Sequence, residues 1–159
     1  MIQRVQSIFL FLVAVAMLLV LLFPIWHQVN PAQTEMTTLN AYTLKTVELT
    51  SQETVNQEGK YFIAGLALLA MGLALFSLSQ YKDRGKQMLI NMINSIVMVT
   101  NVGLIVWTAH SANEAINPQV NGAFVLGFYA IFGGMIMNLL ANRFIRKDEM
   151  LVRSVDRIR

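Results

Sequence analysis

The residues best placed to do chemistry are carboxamides on a long apolar segment. Gln87, Asn91, Asn94, Met98 and Asn101 follow one another at steps of 4-3-4-3, so a helix through them carries all five on one face. A carboxamide in hydrocarbon is costly unless it is hydrogen-bonded. Asn91, Asn94 and Asn101, joined by Asn138 from a later apolar segment, therefore predict a polar seam inside a membrane bundle. Two chemistries fit such a seam. One is a water-lined or ion-coordinating path. The other is hydrogen bonding between helices, from the stripe to Asn138, Ser77 and Ser79, each bond worth roughly 0.6–2 kcal/mol. The second is preferred, because proton and ion pathways place an ionisable group at depth. None of the four apolar stretches holds Asp, Glu, Lys, Arg or His between its ends. That argues against a proton-coupled transporter and against an intramembrane hydrolase.

The remaining candidates are weaker. His27 follows Trp26, and His110 lies close to Trp107. Together they invite a metal or quinol-headgroup site, but no carboxylate spacing supports one, and polar residues at a membrane interface are the better reading. No histidine lies within a span, so haem held between spans is not expected. The absence of cysteine excludes disulfides, thiolate metal sites and thiol catalysis. The Gly133–Gly134 pair lies mid-span, without the strand-to-helix setting of a phosphate loop. No catalytic, cofactor-binding or metal residue is assigned, no cofactor is expected, and the chain reads as a non-enzyme.

The elements that must position these groups follow from composition. The chain is 55% hydrophobic and 13% charged, with a mean hydropathy of +0.53. That much apolar surface in one small domain points to lipid as the solvent. The expected fold class is an all-α membrane protein, a four-transmembrane-helix bundle forming one domain over 1–159, with spans of about 7–23, 61–80, 88–108 and 122–141. The first span reads as uncleaved rather than as a signal peptide, with Pro24, Ile25 and Trp26 as an interfacial anchor. The larger external loop, 24–60, carries β-forming residues from 37 to 50, and a short β-hairpin and an irregular loop both remain open.

Ten of the twelve Lys and Arg residues lie in three segments: Arg4; Lys82, Arg84 and Lys86; and Arg143, Arg146, Lys147, Arg153, Arg157 and Arg159. The alternation across the spans predicts both termini in the cytoplasm. The net charge of +3 flanks spans, so lipid rather than nucleic acid is the expected partner.

Small residues predict the packing faces. Gly65, Gly72 and Ser79 form one stripe on the second span, and Ala123, Gly127, Ala130 and Gly134 line the fourth. The tail 142–159 continues as a cytoplasmic amphipathic helix, with Phe144, Leu151, Val155 and Ile158 at heptad-like spacing. Arg143, Arg146, Lys147, Leu151, Arg153, Val155 and Arg157 are its candidates for lipid or partner contact.

The opening residues 1–8, the basic turn ending Lys86-Gln87-Met88, and above all the run 145–159 (IRKDEMLVRSVDRIR) resemble an uncharacterised Bacteroidota family, domain of unknown function 4293. The resemblance covers essentially the whole chain. It implies four helices, a larger first external loop, and the inner membrane of a two-membrane bacterium; it implies no activity and carries over no functional residue. The expected role is an accessory or assembly subunit of a larger membrane complex, in contact with other subunits or with itself. A small transporter or channel with an Asn-lined path, and a quinone- or cofactor-associated subunit, are the alternatives.

Overall fold

A computed structural model describes residues 3–81 and 83–156. Four helices carry the apolar stretches: α1 (Gln3–Leu22), α2 (Tyr61–Ser79), α3 (Arg84–Ile116) and α4 (Leu126–Asp156). All four are long and apolar enough to cross a membrane. Each buries one seam at heptad steps. On α1 the seam is Gln6, Leu10, Val13, Met17 and Val20; on α2 it is Ile63, Ala67, Ala70, Ala74 and Ser77. On α3 it runs Gln87, Asn91, Asn94, Met98, Asn101, Ile105, Thr108 and Ala112. On α4 it is Gly127, Ile131, Gly134, Asn138, Ala141, Ile145 and Asp148. A 3.5-residue repeat on every helix is the pattern of gently supercoiled, knobs-into-holes packing. The helices form a ring in which α1 packs on α2 and α4, and α3 packs on the same two.

The all-α expectation is wrong. The segment expected as a loop folds into strands β1 (Trp26–Val29), β2 (Glu35–Leu39), β3 (Thr43–Glu48) and β4 (Thr54–Gly59), and β5 (Ala123–Phe124) adds to them. All pairings are antiparallel, in the order β4-β3-β2-β1-β5. The physical reason lies in what a hairpin lacks. Two strands alone are marginal in water, whereas a multi-stranded sheet with one apolar face is stable. Ile25, Trp26, Leu39 and Ala41 provide that face, buried against the bundle end. Trp26, expected at a lipid interface, is therefore core. Backbone bonds fix the sheet to the helix starts: Ala64 N donates to Ala41 O at 3.0 Å, and Gly127 N to Pro24 O at 2.9 Å. These satisfy first-turn amides that helices otherwise leave without partners.

Helix bounds shift for the same reason. Residues 123–124 pair with β1, so α4 starts at Leu126 rather than 122. Ala123 is thus a strand residue and not part of a helix-packing face. α3 runs eight residues past its expected end, to Ile116, because Ala109, Ala112 and Asn113 are buried beside the sheet. The expected tail helix is one with α4, whose 31 residues extend about 46 Å at 1.5 Å per residue.

Candidate functional site: a carboxamide seam and a basic groove

The seam predicted from spacing is present. Asn91, Asn94, Asn101 and Asn138 have no exposed surface, and Gln87 is 1% exposed. One member is new: Gln6 of α1 is fully buried. It lies one heptad step before Leu10, just outside the expected first span of about 7–23. Ser77 joins the seam, whereas Ser79 is exposed and donates to Phe76 O within its own helix.

The hydrogen bonds decide which way these amides point. Gln87 Nε2 donates to Ser77 O at 3.0 Å, tying α3 to α2. Asn101 Nδ2 donates to Ile63 O at 3.3 Å, tying the same pair higher up. Asn138 Nδ2 donates to Asn91 O and to Ser95 Oγ, both at 2.8 Å, tying α4 to α3. A backbone carbonyl can only accept, so the amide nitrogen must face it and the side-chain oxygen must face away. The side-chain oxygens of Gln87, Asn101 and Asn138 accordingly have no protein donor, and both polar atoms of Gln6, Asn91 and Asn94 are without a partner. The seam's carboxamides are neutral, and their unpaired atoms are six oxygens and three nitrogens. Apolar residues alternate with the carboxamides: Met17, Met98, Ile105 and Ile131 are all fully buried.

The small-residue faces divide. Gly127 and Gly134 are close-approach positions: a Cβ on Gly127 would lie 2.7 Å from Pro24 O, and one on Gly134 would lie 2.9 Å from Met17 Cε. Ala130 flanks this contact, partly buried against the core. Gly65 and Gly72 do not pack; nothing lies within 4 Å of a Cβ built on either. Alanines, not glycines, bring α2 close, because their stripe falls on the heptad seam and the glycine stripe falls on the open side.

At the opposite end from the sheet, Arg84 meets Asp148, with Nη2 2.7 Å from the carboxylate. Beside this pair lies a groove of about 820 Å³ lined by Met88, Met92, Asn142, Arg143, Arg146, Lys147 and Met150. The three cations are exposed and take part in no ion pair among the described residues. Of the tail stripe, the Phe144 ring stacks on Phe9 at 5.4 Å, and Ile158 lies outside the described residues; Ile145, beside the stripe, is buried. Leu151, Arg153 and Val155 lie on the last turns of α4, where only the backbone is described, and Arg157 lies outside the described residues.

The histidines occupy the sheet end. His27 is on β1, and His110 of α3 is exposed, 3.3 Å from Glu114. Among the described residues no group of three or more His, Asp or Glu is placed to hold a metal ion. No curated protein matches the chain. A family model matches residues 2–158, nearly the whole length that carries both the seam and the sheet, and the chain belongs to that family, described as Domain of unknown function (DUF4293).

Proposed function

We propose that the chain is a non-enzymatic membrane subunit that holds a partner by strand addition at β4. One observation carries this reading. β4 is the end strand of the sheet, and all six of its residues are exposed. An edge strand offers unpaired N–H and C=O groups to another chain unless something blunts it. The blunting here is slight. A bulge at Val55 sets Thr46 opposite Asn56 and Val47 opposite Thr54. The one charge on the strand, Glu58, is paired with Lys60 at 3.0 Å. Asn56–Gly59 remain a regular free edge on a sheet anchored to the bundle.

The membrane setting is part of the proposal. Among the described residues, seven of the nine Lys and Arg lie at the helix ends away from the sheet, so the basic end faces the cytoplasm and the sheet faces outward. In a two-membrane bacterium this reading has the bundle in the inner membrane and the partner on its outer side. An Asn-lined conduction path is less well supported, because the fully buried apolar Met17, Met98, Ile105 and Ile131 alternate with the carboxamides. A quinone-bearing role has no comparable observation behind it.

Photo-crosslinking from Val55 and Gln57 in native membranes tests the reading. A discrete adduct at these positions, absent from probes at Leu68 on the open side of α2, is the expected result. No adduct at β4, together with recovery of a lone monomer in several mild detergents, would overturn it.

A further inference from the structure

We propose that the groove between α3 and α4 at the basic end is a binding site for one anionic phospholipid with a hydroxyl-bearing headgroup. The inference rests on the membrane setting proposed above, and it concerns the face opposite the sheet.

Three features of the groove specify the ligand. The first is charge. Arg143, Arg146 and Lys147 line it with no acidic residue among them; the nearby Asp148 is already held by Arg84. Guanidinium groups favour phosphate oxygens, which they can meet with two parallel hydrogen bonds. The second is the apolar wall. Met88 and Met92 are one turn apart on α3 and face Met150 of α4 across the groove. Methionine is unbranched and polarisable, so it moulds to a flexible chain. The groove has a volume of about 820 Å³. That is far more room than a free phosphate needs, and it fits a headgroup with the first part of an acyl chain. The third is an orphan acceptor. The Oδ1 atom of Asn142 is buried without a donor and belongs to the same lining. A phosphate monoester held by the guanidinium groups as its dianion has no hydrogen to give it, whereas a glycerol headgroup has hydroxyls that donate.

Native mass spectrometry of the full chain in mild detergent, titrated with phosphatidylglycerol, phosphatidic acid, phosphatidylcholine or inorganic phosphate, tests this. Phosphatidylglycerol should be retained over phosphatidylcholine. Each cation near a headgroup contributes roughly a fivefold effect, so the preference should be about 100-fold. The R143Q/R146Q/K147Q variant should lose it. Met92→Trp, at an exposed position, should reduce retention by crowding the chain while leaving all three cations in place. Asn142→Leu should abolish the preference for phosphatidylglycerol over phosphatidic acid. Equal retention of anionic and zwitterionic lipid would overturn the proposal, as would displacement of the lipid by millimolar phosphate. A chain that stays in solution without detergent would instead sink the membrane setting itself, which separates the two failures.

Discussion

Arg84 holds Asp148 at two points. Its guanidinium lies 2.7 Å from the carboxylate and donates to the Asp148 backbone carbonyl at 3.1 Å. The contact joins the first residue of α3 to the seam of α4, and the two side chains are only 19% and 12% exposed. A pair this enclosed is costly to break from one side, because the remaining charge keeps its desolvation penalty. Asp148→Leu or Arg84→Met should each destabilise the bundle by about 2–3 kcal/mol, somewhat less than for full burial. The double substitution Arg84→Met/Asp148→Leu should recover most of that loss. A double-mutant cycle on detergent unfolding decides it; additive losses would mean that the two residues act independently.

The carboxamide seam makes two opposite predictions. Asn138 makes two hydrogen bonds to α3, so Asn138→Leu should cost about 1–2 kcal/mol at membrane values for such bonds. Asn94 is as deeply buried, but neither of its polar atoms has a protein partner. Asn94→Leu removes an unmet desolvation cost and should be neutral or stabilising by about 1 kcal/mol. Unfolding midpoints of the two variants in one detergent give the comparison. If Asn94→Leu proves the more damaging, Asn94 holds a water or ion, and the seam has a role beyond joining helices.

The glycines separate by the side of the helix they occupy. Gly127→Ala would drive a methyl to 2.7 Å from Pro24 O and 2.9 Å from Phe23 O. Both are backbone atoms that cannot rotate away, so a loss of about 1–3 kcal/mol is expected for such overpacking. Gly72→Ala meets nothing within 4 Å and should stabilise α2 by up to about 1 kcal/mol through helix propensity. Thermal aggregation temperatures measured side by side would show the sign. A destabilising Gly72→Ala would mean that a second copy or a partner lies against that face.

The contrast between these glycines shows what was legible in the sequence. Spans, charge and the asparagine face follow from short-range patterns: run length, sign and heptad spacing. Gly65 and Gly72 repeat every seven residues as regularly as Ala67 and Ala74 do, and nothing local says which stripe meets a neighbour. Of the sheet, only the β2–β3 hairpin is legible, in the β-forming residues from 37 to 50, and the rest is hidden for a related reason. Its outer strand β5 is two residues long and pairs with Trp26 and His27 from nearly one hundred positions earlier. Such pairing leaves no periodic mark, and Ala123-Phe124 continue an apolar run that reads as helix. Gln6 could be read from its heptad step, but its burial depends on how far α4 extends beside it.

The turn between α2 and α3 gives a prediction in pH. Asp83 caps α3, its Oδ1 accepting from Lys86 N at 3.1 Å while its other oxygen lies 3.1 Å from Lys86 Nζ. The backbone bond from Lys86 is the larger cause, and the side-chain bond the next, that hold its carboxyl below the usual value of 3.8. A carboxyl whose folded value is depressed stabilises the fold above its unfolded value and loses that contribution as pH falls through the folded one. Replacing Asp83 with Ala removes both the cap and the charge. The variant should therefore be less stable than the wild type at neutral pH, and the gap should narrow only below about pH 4. Because Asp83 lies at the surface, salt will weaken its pairing with the Lys86 ammonium far more than its bond to the backbone amide. Limited proteolysis at the 80–84 turn, followed from pH 7 down to pH 3 at low and high salt, reads this directly. A gap that closes already between pH 6 and 5 would assign the effect to another group.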